Sequence, residues 1–447
     1  MKRNARQVAL DALLQVETGQ GYSNLVIDKT LKRDILDPRD AALATTLFYG
    51  ALERRISLDY YLERFSKPPL SQLSPRVLAA LRIAAYQILY LDKIPASAAV
   101  NEAVNCVKAD KRTARAAGFV NGVLRSLLRG KEAVSLPDPA RSPLEAESVE
   151  FSCPVWLLRL WHDAYGDGFT REMLQAFMEP PNLYIRANTC RISPGALQRR
   201  LAEEGVPAEL VPDVPGALLL GRSGAVDSLP SFQEGLFHVQ DLSSQLCCAM
   251  LDPKPGQTVL DVCAAPGGKT FTLAQRMENT GRVLAFDLHK AKVGLIRQGA
   301  QRLGLSCVEA AVRDAAHPGE ELPAADAVLC DVPCAGLGIL RRKPEIRYKN
   351  PEDIQSLPAV QKQILAESAK CVRAGGILLY STCSLNPAEN RAVADWFEET
   401  HPEFVPDPLC LPAGQRRGIP EPPHQWTLFP HVNGTDGFFV ARFCRRG

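Results

Sequence analysis

The chain has 447 residues, of which 46% are apolar and 23% charged, and its formal net charge is +2. That is the composition of an ordinary soluble globular protein of about two to four domains. No membrane-spanning helix is expected, because no uninterrupted apolar run reaches the ~18 residues a span needs. The start, Met-Lys-Arg, is followed by an apolar stretch that Asp11 and Gln15 interrupt, so an amphipathic helix is expected there and not a signal peptide. The thirteen cysteines are scattered and odd in number, without a Cys-x-x-Cys pair; Cys330 and Cys334 come nearest. A zinc site is not expected, and free thiols in this number fit a reducing cytosol, so the protein is placed in the cytoplasm. The near-neutral total hides an asymmetry. Residues 1–130 hold 20 Lys and Arg against 12 Asp and Glu, a net of +8, and the remainder nets −6. A basic first domain suits nucleic acid, although a solvated charged surface would give the same counts.

Residues 1–130 read as all-helical. Ala9, Ala12, Leu13 and Val16 fall at helical spacing, and Asp37-Pro38-Arg39-Asp40 is a helix start with Asp37 as N-cap. Pro68-Pro69 and Pro95 break the pattern, and a last helix carries Phe119, Val123 and Leu127. Many helices on short loops predict a bundle. This region is similar to the NusB-like RNA-binding fold, whose end Asn105 to Lys111 and Gly118 to Arg125 resemble. Residues 131–150 are acidic, contain proline and read as a linker. Residues 151–239 form a further predicted unit. A helical stretch over 152–179 carries Trp156, Leu157, Leu160 and Trp161, more consistent with core than with base stacking. Strands follow at 183–186, 207–211, 217–220 and 236–239, around a helix opened by Ser193-Pro194. A small α+β, RRM-like domain is predicted, without the aromatic signature of a base-stacking sheet.

From 240 to 447, strands and helices alternate as in a Rossmann-like α/β domain. Strands are predicted at 258–263, 282–287, 307–311, 326–331 and 376–382, and Asp436 to Phe443 reads as an edge strand closing the sheet. The central stretch is Thr258 to Thr270. Val259, Leu260 and Val262 make a buried strand, Ala264-Ala265-Pro266-Gly267-Gly268 a tight turn, and Phe271, Leu273, Ala274 and Met277 a helix. Such a turn, past the carboxyl end of the first strand, is where an open α/β sheet binds its ligand. Gly268-Lys269-Thr270 fits the end of a P-loop, but Cys263 stands where its first glycine belongs, and Gly-x-Gly-x-x-Gly is absent. A nucleoside without polyphosphate fits better, and S-adenosylmethionine (SAM) is the common one. Cys263, Ala264, Ala265, Pro266, Gly267, Gly268 and Lys269 would line it, with Lys269 near the methionine carboxylate or the RNA. Asp287, ending the second strand, is placed for the ribose hydroxyls or a helix cap, and Asp314, after the third, for adenine.

Two thiols follow strand ends. Cys334 lies in Asp331-Val332-Pro333-Cys334 and Cys383 in Ser381-Thr382-Cys383-Ser384. Ends of adjacent parallel strands open onto one crevice, so both thiols and Asp331 are candidates to face one base. A thiolate adding at C6 of cytosine makes C5 nucleophilic, and a proton at N3 from Asp331 eases the addition. Chemistry leaves open which thiol attacks. Asp261 to Thr270 closely resembles the SAM motif of the Nop/Sun family of RNA cytosine-C5 methyltransferases, and the two thiol segments match its other motifs. The resemblance implies Cys383 as nucleophile, Cys334 in product release, Asp331 at the base and SAM as cofactor. After Asp331 many members read Ala-Pro-Cys-Ser, against Val332-Pro333-Cys334-Ala335 here, which removes no catalytic group. The whole-chain order resembles the RsmB/Sun branch, which implies 16S rRNA as substrate. Transfer RNA, a non-enzymatic NusB-like RNA-binding or transcription factor, and a P-loop nucleotidase are the alternatives. Arg341, Arg342, Lys343 and Arg347 are candidates for phosphate contact or a solvated loop. No metal and no membrane partner is expected, and the chain is expected to act as a monomer.

Overall fold

The structure is a computed structural model that describes residues 3–19, 21–317, 319, 322–410, 412 and 418–447. It divides into two compact units, Met1–Met178 with Leu340–Lys349, and Glu179–Ile339 with Asn350–Gly447.

The first unit is helical. Ala5–Glu17, Ser23–Asp34, Pro38–Glu53, Arg55–Glu63, Pro75–Tyr90, Ala96–Lys108 and Ala117–Gly130 are α-helices. Their apolar stripes meet in one core with Leu13, Leu47, Phe48, Leu58, Leu81 and Leu124 fully buried. Asp37 caps its helix by accepting from the N–H groups of Arg39 and Asp40, with Pro38 in the first turn. The 131–150 stretch is more than a linker. It runs into the helix Pro143–Phe151, whose Val149 carbonyl accepts from Ser57 Oγ. The helices Val155–Tyr165 and Asp167–Phe177 belong to this unit too, with Trp161 buried and stacked on Phe177. The basic segment 340–349 is neither a solvated loop nor, at Arg347, a phosphate contact. Arg347 is 2% exposed, and its Nη1 donates to the carbonyls of Glu53, Phe151 and Ser152 at 3.2–3.4 Å. Glu53 and Phe151 end two helices, so a cation is spent on helix C-termini, where unpaired carbonyls collect. Tyr348 OH donates to the Leu52 carbonyl at 2.9 Å beside it.

The second unit holds two sheets. Strands β1 (Leu183–Ala187), β2 (Ala208–Leu210), β3 (Ala217–Leu220) and β4 (Phe237–Val239) form an antiparallel sheet in the order β2-β3-β1-β4. Ile185, Leu218 and Phe237 pack on the helix Pro194–Glu203 through Leu197 and Leu201. The opposite face is covered as well. Tyr184 joins the core of the larger sheet, and the buried Arg186 donates to Gln275 Oε1 at 3.2 Å. With both faces occupied, this sheet is not a platform for stacked bases.

The larger sheet comprises β5 (Thr258–Asp261), β6 (Arg282–Asp287), β7 (Val308–Val312), β8 (Ala325–Asp331), β9 (Val372–Thr382), β10 (Phe404–Pro406), β11 (Gln425–Leu428) and β12 (Phe438–Arg445). Its order is β10-β12-β9-β8-β5-β6-β7, with β11 also on β12. The strands from β9 to β7 are parallel, and β12 runs antiparallel to β9. β12 is not the edge the sequence suggested. It pairs with β9 on one side and with β10 and β11 on the other. Phe438, Phe439, Val440, Ala441 and Phe443 are all buried, the near-continuous apolar run of a strand covered on both faces. The first strand, β5, lies between β6 and β8, so the chain reverses direction across the sheet beside it. Crevices open at that switch point.

Candidate active site

At the end of β5 the backbone turns sharply. Ala264 N–H donates to the Phe286 carbonyl at 2.7 Å and Gly267 N–H to the Ala264 carbonyl at 2.8 Å, and the helix Gly268–Arg276 begins. Gly267 has φ +110°, and a Cβ there would lie 2.4 Å from Cζ of Phe271. Its missing side chain accommodates the left-handed backbone and the Phe271 ring. Above Gly268 the space is freer, the nearest atoms being 3.9 Å from a Cβ. A cavity of about 200 Å³ opens over the turn, lined by Gln240, Asp261, Cys263 to Pro266, Gly268, Lys269 and Asp331 among others.

Asp261 is 1% exposed. Its Oδ2 accepts from Thr270 Oγ1 at 2.7 Å, and its Oδ1 has no hydrogen-bond partner among the described residues. Burial pushes its carboxyl up to about 7. Burial also raises the Cys263 thiol well above its ordinary value. Asp287, at the end of β6, accepts from His289 N–H at 2.9 Å through Oδ1, with Lys292 Nζ 4.0 Å away. Asp314 accepts from Ala316 N–H at 2.9 Å and stands 3.3 Å from His317 Nδ1; the first contact, then the second, holds its carboxyl below the usual range. Neither acid lines the cavity over the turn; both follow strand ends on the side of the sheet beyond β5.

β8 and β9 are in register with Asp331 opposite Ser381. That pairing puts the two thiol loops side by side, and Cys334 Sγ lies 3.3 Å from Cys383 Sγ. The contact with Cys383, and then burial, lifts the Cys334 thiol well above its ordinary value. At this distance a charge on one sulfur opposes a charge on the other. Asp331 is held at both oxygens. Ser381 Oγ donates to Oδ1 and Lys269 Nζ to Oδ2, each at 2.8 Å. Burial pulls the Lys269 ammonium down, but Asp331 outweighs it and the ammonium is raised. Lys269 therefore faces an acid of the chain. The turn and the thiol pair meet through this bridge, which joins residues 62 positions apart.

Three comparisons with known proteins bear on this arrangement. Residues 248–444 match the family described as 16S rRNA methyltransferase RsmB/F, residues 3–129 the NusB family, and residues 153–227 the RsmF/B-like ferredoxin-like domain. A probable ribosomal RNA small subunit methyltransferase B from Bacillus subtilis (strain 168) is 39% identical over 455 residues, covering 100% of both chains. The chain belongs to the RsmB/F family of rRNA methyltransferases. A relative of the same description from Synechocystis is 35% identical over 98% of each chain, and the ribosomal RNA small subunit methyltransferase B of Escherichia fergusonii is 32% identical over 100% and 99%. Among solved structures, that of PH0851 superposes with a TM-score of 0.84 at 28% identity, covering 99% of each chain. A methyltransferase homolog from Pyrococcus horikoshii gives 0.60 at 30% identity, covering 69% of this chain and 100% of its own. A SAM-dependent methyltransferase acting on RNA is thus the activity of this family member. No helix among the described residues is long and apolar enough to cross a membrane, and no group of three or more potential metal ligands occurs among them.

Reading the sequence alone missed several residues at the site. Ser381, Asp261 and Glu389 were not singled out, and Lys269 was not paired with Asp331. Asp261 ends an apolar strand just before the turn, and an acid in that place was the available signal. Glu389 lies six positions past Cys383 in Asn386-Pro-Ala-Glu-Asn390, a polar turn directly after a motif.

Proposed function

We propose that this protein methylates C5 of a cytosine in 16S rRNA through a covalent bond from Cys383 to C6. The observation that carries the reading is the 3.3 Å approach of Cys334 and Cys383 beside an Asp331 clamped by Lys269 and Ser381. Two thiols in contact at paired strand ends have no structural need for an adjacent carboxylate–ammonium bridge; a pyrimidine that must gain a nucleophile at one edge and a proton at the other does. The cavity over the turn fits SAM. Its backbone floor is free of long side chains, and Asp261 Oδ1 is a buried acceptor without a partner, suited to the ammonium of the methionine group. Cys263 to Lys269 would hold that group and Asp287 the ribose, with Asp314 toward adenine. When bound, SAM supplies an electrophilic methyl to C5.

The chain's own residues account for the remaining steps. Cys334 keeps its proton, so Cys383 is the thiolate and adds to C6, forming the C–S bond. Asp331 addresses the N3–N4 edge of the base, and the proton that N3 takes up comes from the Asp331–Lys269 bridge. After transfer, Cys334, having given up its own proton to solvent, takes the proton from C5. The C6–S bond breaks, the electron pair returns to Cys383, N3 gives back its proton, and the ring recovers aromaticity. The base must leave its stack to reach both sulfurs, so single-stranded or loop RNA is the substrate form.

Bisulfite sequencing of 16S rRNA and tRNA from cells with and without the protein tests the substrate; loss of one cytosine mark in 16S rRNA supports the reading, and loss only in tRNA replaces it. Cys383→Ala should abolish transfer, whereas Cys334→Ala should accumulate a protein–RNA adduct seen as a slower gel band. Full transfer by Cys383→Ala would overturn the assignment.

A further inference from the structure

We propose that Glu389 is a positioning residue that sets the spacing of the two thiols. It is 0% exposed, and its two oxygens accept four donors drawn from both thiol loops and the helix behind them. Oε2 accepts from Ala335 N–H at 2.7 Å and from Gln361 Nε2 at 2.9 Å. Oε1 accepts from Ser384 Oγ at 2.7 Å and from Asn386 Nδ2 at 3.1 Å.

The placement of these donors is what matters. Ala335 follows Cys334, and Ser384 follows Cys383. Gln361, fully buried on the helix Leu357–Ala369, also donates to the Pro333 carbonyl at 3.0 Å, so Cys334 is bracketed on both sides by groups tied to one carboxylate. Cys383 is bracketed likewise. Asn390, next to Glu389, accepts from Thr382 Oγ1 at 2.6 Å and donates to the Ser384 carbonyl at 2.9 Å. One carboxylate and its neighbour thus hold the residues on either side of both sulfurs. Four donors on two oxygens saturate the group, and only a carboxylate presents acceptors in both directions. A glutamine in its place would aim an NH₂ at two existing donors. Ser384 can reverse its hydroxyl to receive it; the Asn386 amide can do so only by flipping away from the Ala388 N–H it now accepts at 3.2 Å, and the Ala335 N–H cannot reverse at all. The loops would part, and an ångström of misplacement at a reacting pair is worth about a hundredfold in rate.

This inference rests on the reading of Cys334 and Cys383 as a reacting pair, and its test separates the two. Wild type, Glu389→Gln and Ser384→Ala are treated with diamide, an azo oxidant. Two S–H bonds break, one S–S bond forms between Cys334 and Cys383, and the N=N group takes both hydrogens. The closure rate, followed by peptide mass spectrometry, reports the sulfur separation whatever the reaction. Alongside it are measured SAM affinity and single-turnover methyl transfer to rRNA. In Glu389→Gln, closure should slow at least tenfold and transfer about a hundredfold, with SAM affinity within twofold of wild type. Ser384→Ala removes one of the four donors while keeping the acid itself in place, and should slow closure three- to tenfold. Wild-type closure in either folded variant overturns the positioning role. Should Glu389→Gln not fold, Ser384→Ala decides alone. If wild-type protein transfers no methyl to cytosine while closure responds as stated, the proposed chemistry fails and the positioning role stands.

Discussion

Asp261 offers a test of the cofactor cavity that needs no substrate. Its carboxyl, with an ordinary value of 3.8, is raised to about 7, chiefly by burial, which outweighs the hydrogen bond from Thr270 and the nearby Lys269 ammonium. An acid raised on folding binds a proton more tightly in the native state, so its contribution to stability is complete below pH 3.8 and is lost as pH climbs toward 7. The gap corresponds to on the order of 4 kcal/mol. Asp261→Asn keeps the acceptor for Thr270 and stays neutral throughout. Urea unfolding of both proteins from pH 4 to pH 8, subtracted to cancel every other titrating group, should show the wild type losing about 4 kcal/mol relative to the variant across that interval. The ammonium of SAM favours the ionised carboxylate, so binding should release protons at pH 6 and tighten toward pH 8. Calorimetry in two buffers of different ionisation enthalpy reads that release. Parallel stability curves, or a difference that grows in the wild type's favour as pH rises, would refute the reasoning.

Gly267→Ala should lose about 3 kcal/mol, from a Cβ at φ +110° and its 2.4 Å approach to Phe271, and shortening Phe271 to Leu should recover only the steric part, as read by thermal unfolding. Lys269→Met leaves Asp331 without its cation in a mostly buried bridge; a cost of about 3 kcal/mol is expected, and Lys269→Met with Asp331→Asn should cost less than the sum of the singles in a double-mutant cycle. Arg347→Ala strips N–H donors from three helix-terminal carbonyls and should destabilise the helical unit by about 2–3 kcal/mol while leaving the salt dependence of RNA binding unchanged; a slope lowered by about one would make Arg347 a phosphate contact after all.

What was legible in the chain alone is what is local to a strand and the turn after it. The apolar run ending at Asp261, the small residues from Ala264 to Gly268 and the two Cys-bearing strand ends all announce themselves within about ten residues, because a buried parallel strand and a tight turn each have their own composition. What depends on which strands are neighbours was not legible. β12 has the same apolar residues whether it closes the sheet or lies between β9 and β10, and only the sheet order tells these apart. Arg347 sits in a run of basic residues that reads as a nucleic-acid contact, and its use as a plug for helix ends appears only once Pro38–Glu53 and Pro143–Phe151 are seen to finish at the same point.

The same limit governs the chemistry. Lys269 and Asp331 are 62 residues apart and Cys334 and Cys383 49, and each pair is joined by the β5–β8 and β8–β9 pairings. A one-residue slip of β9 against β8 would put Tyr380 or Thr382 opposite Asp331 in place of Ser381 and turn the following thiol to the other face. In the proposed mechanism the register is therefore itself a catalytic determinant. Glu389 extends it past the point where the ladder ends: beyond Asp331 and Thr382 the carboxylate's hydrogen bonds, together with that from Gly338 N–H to the Cys383 carbonyl at 3.0 Å, tie the two loops together.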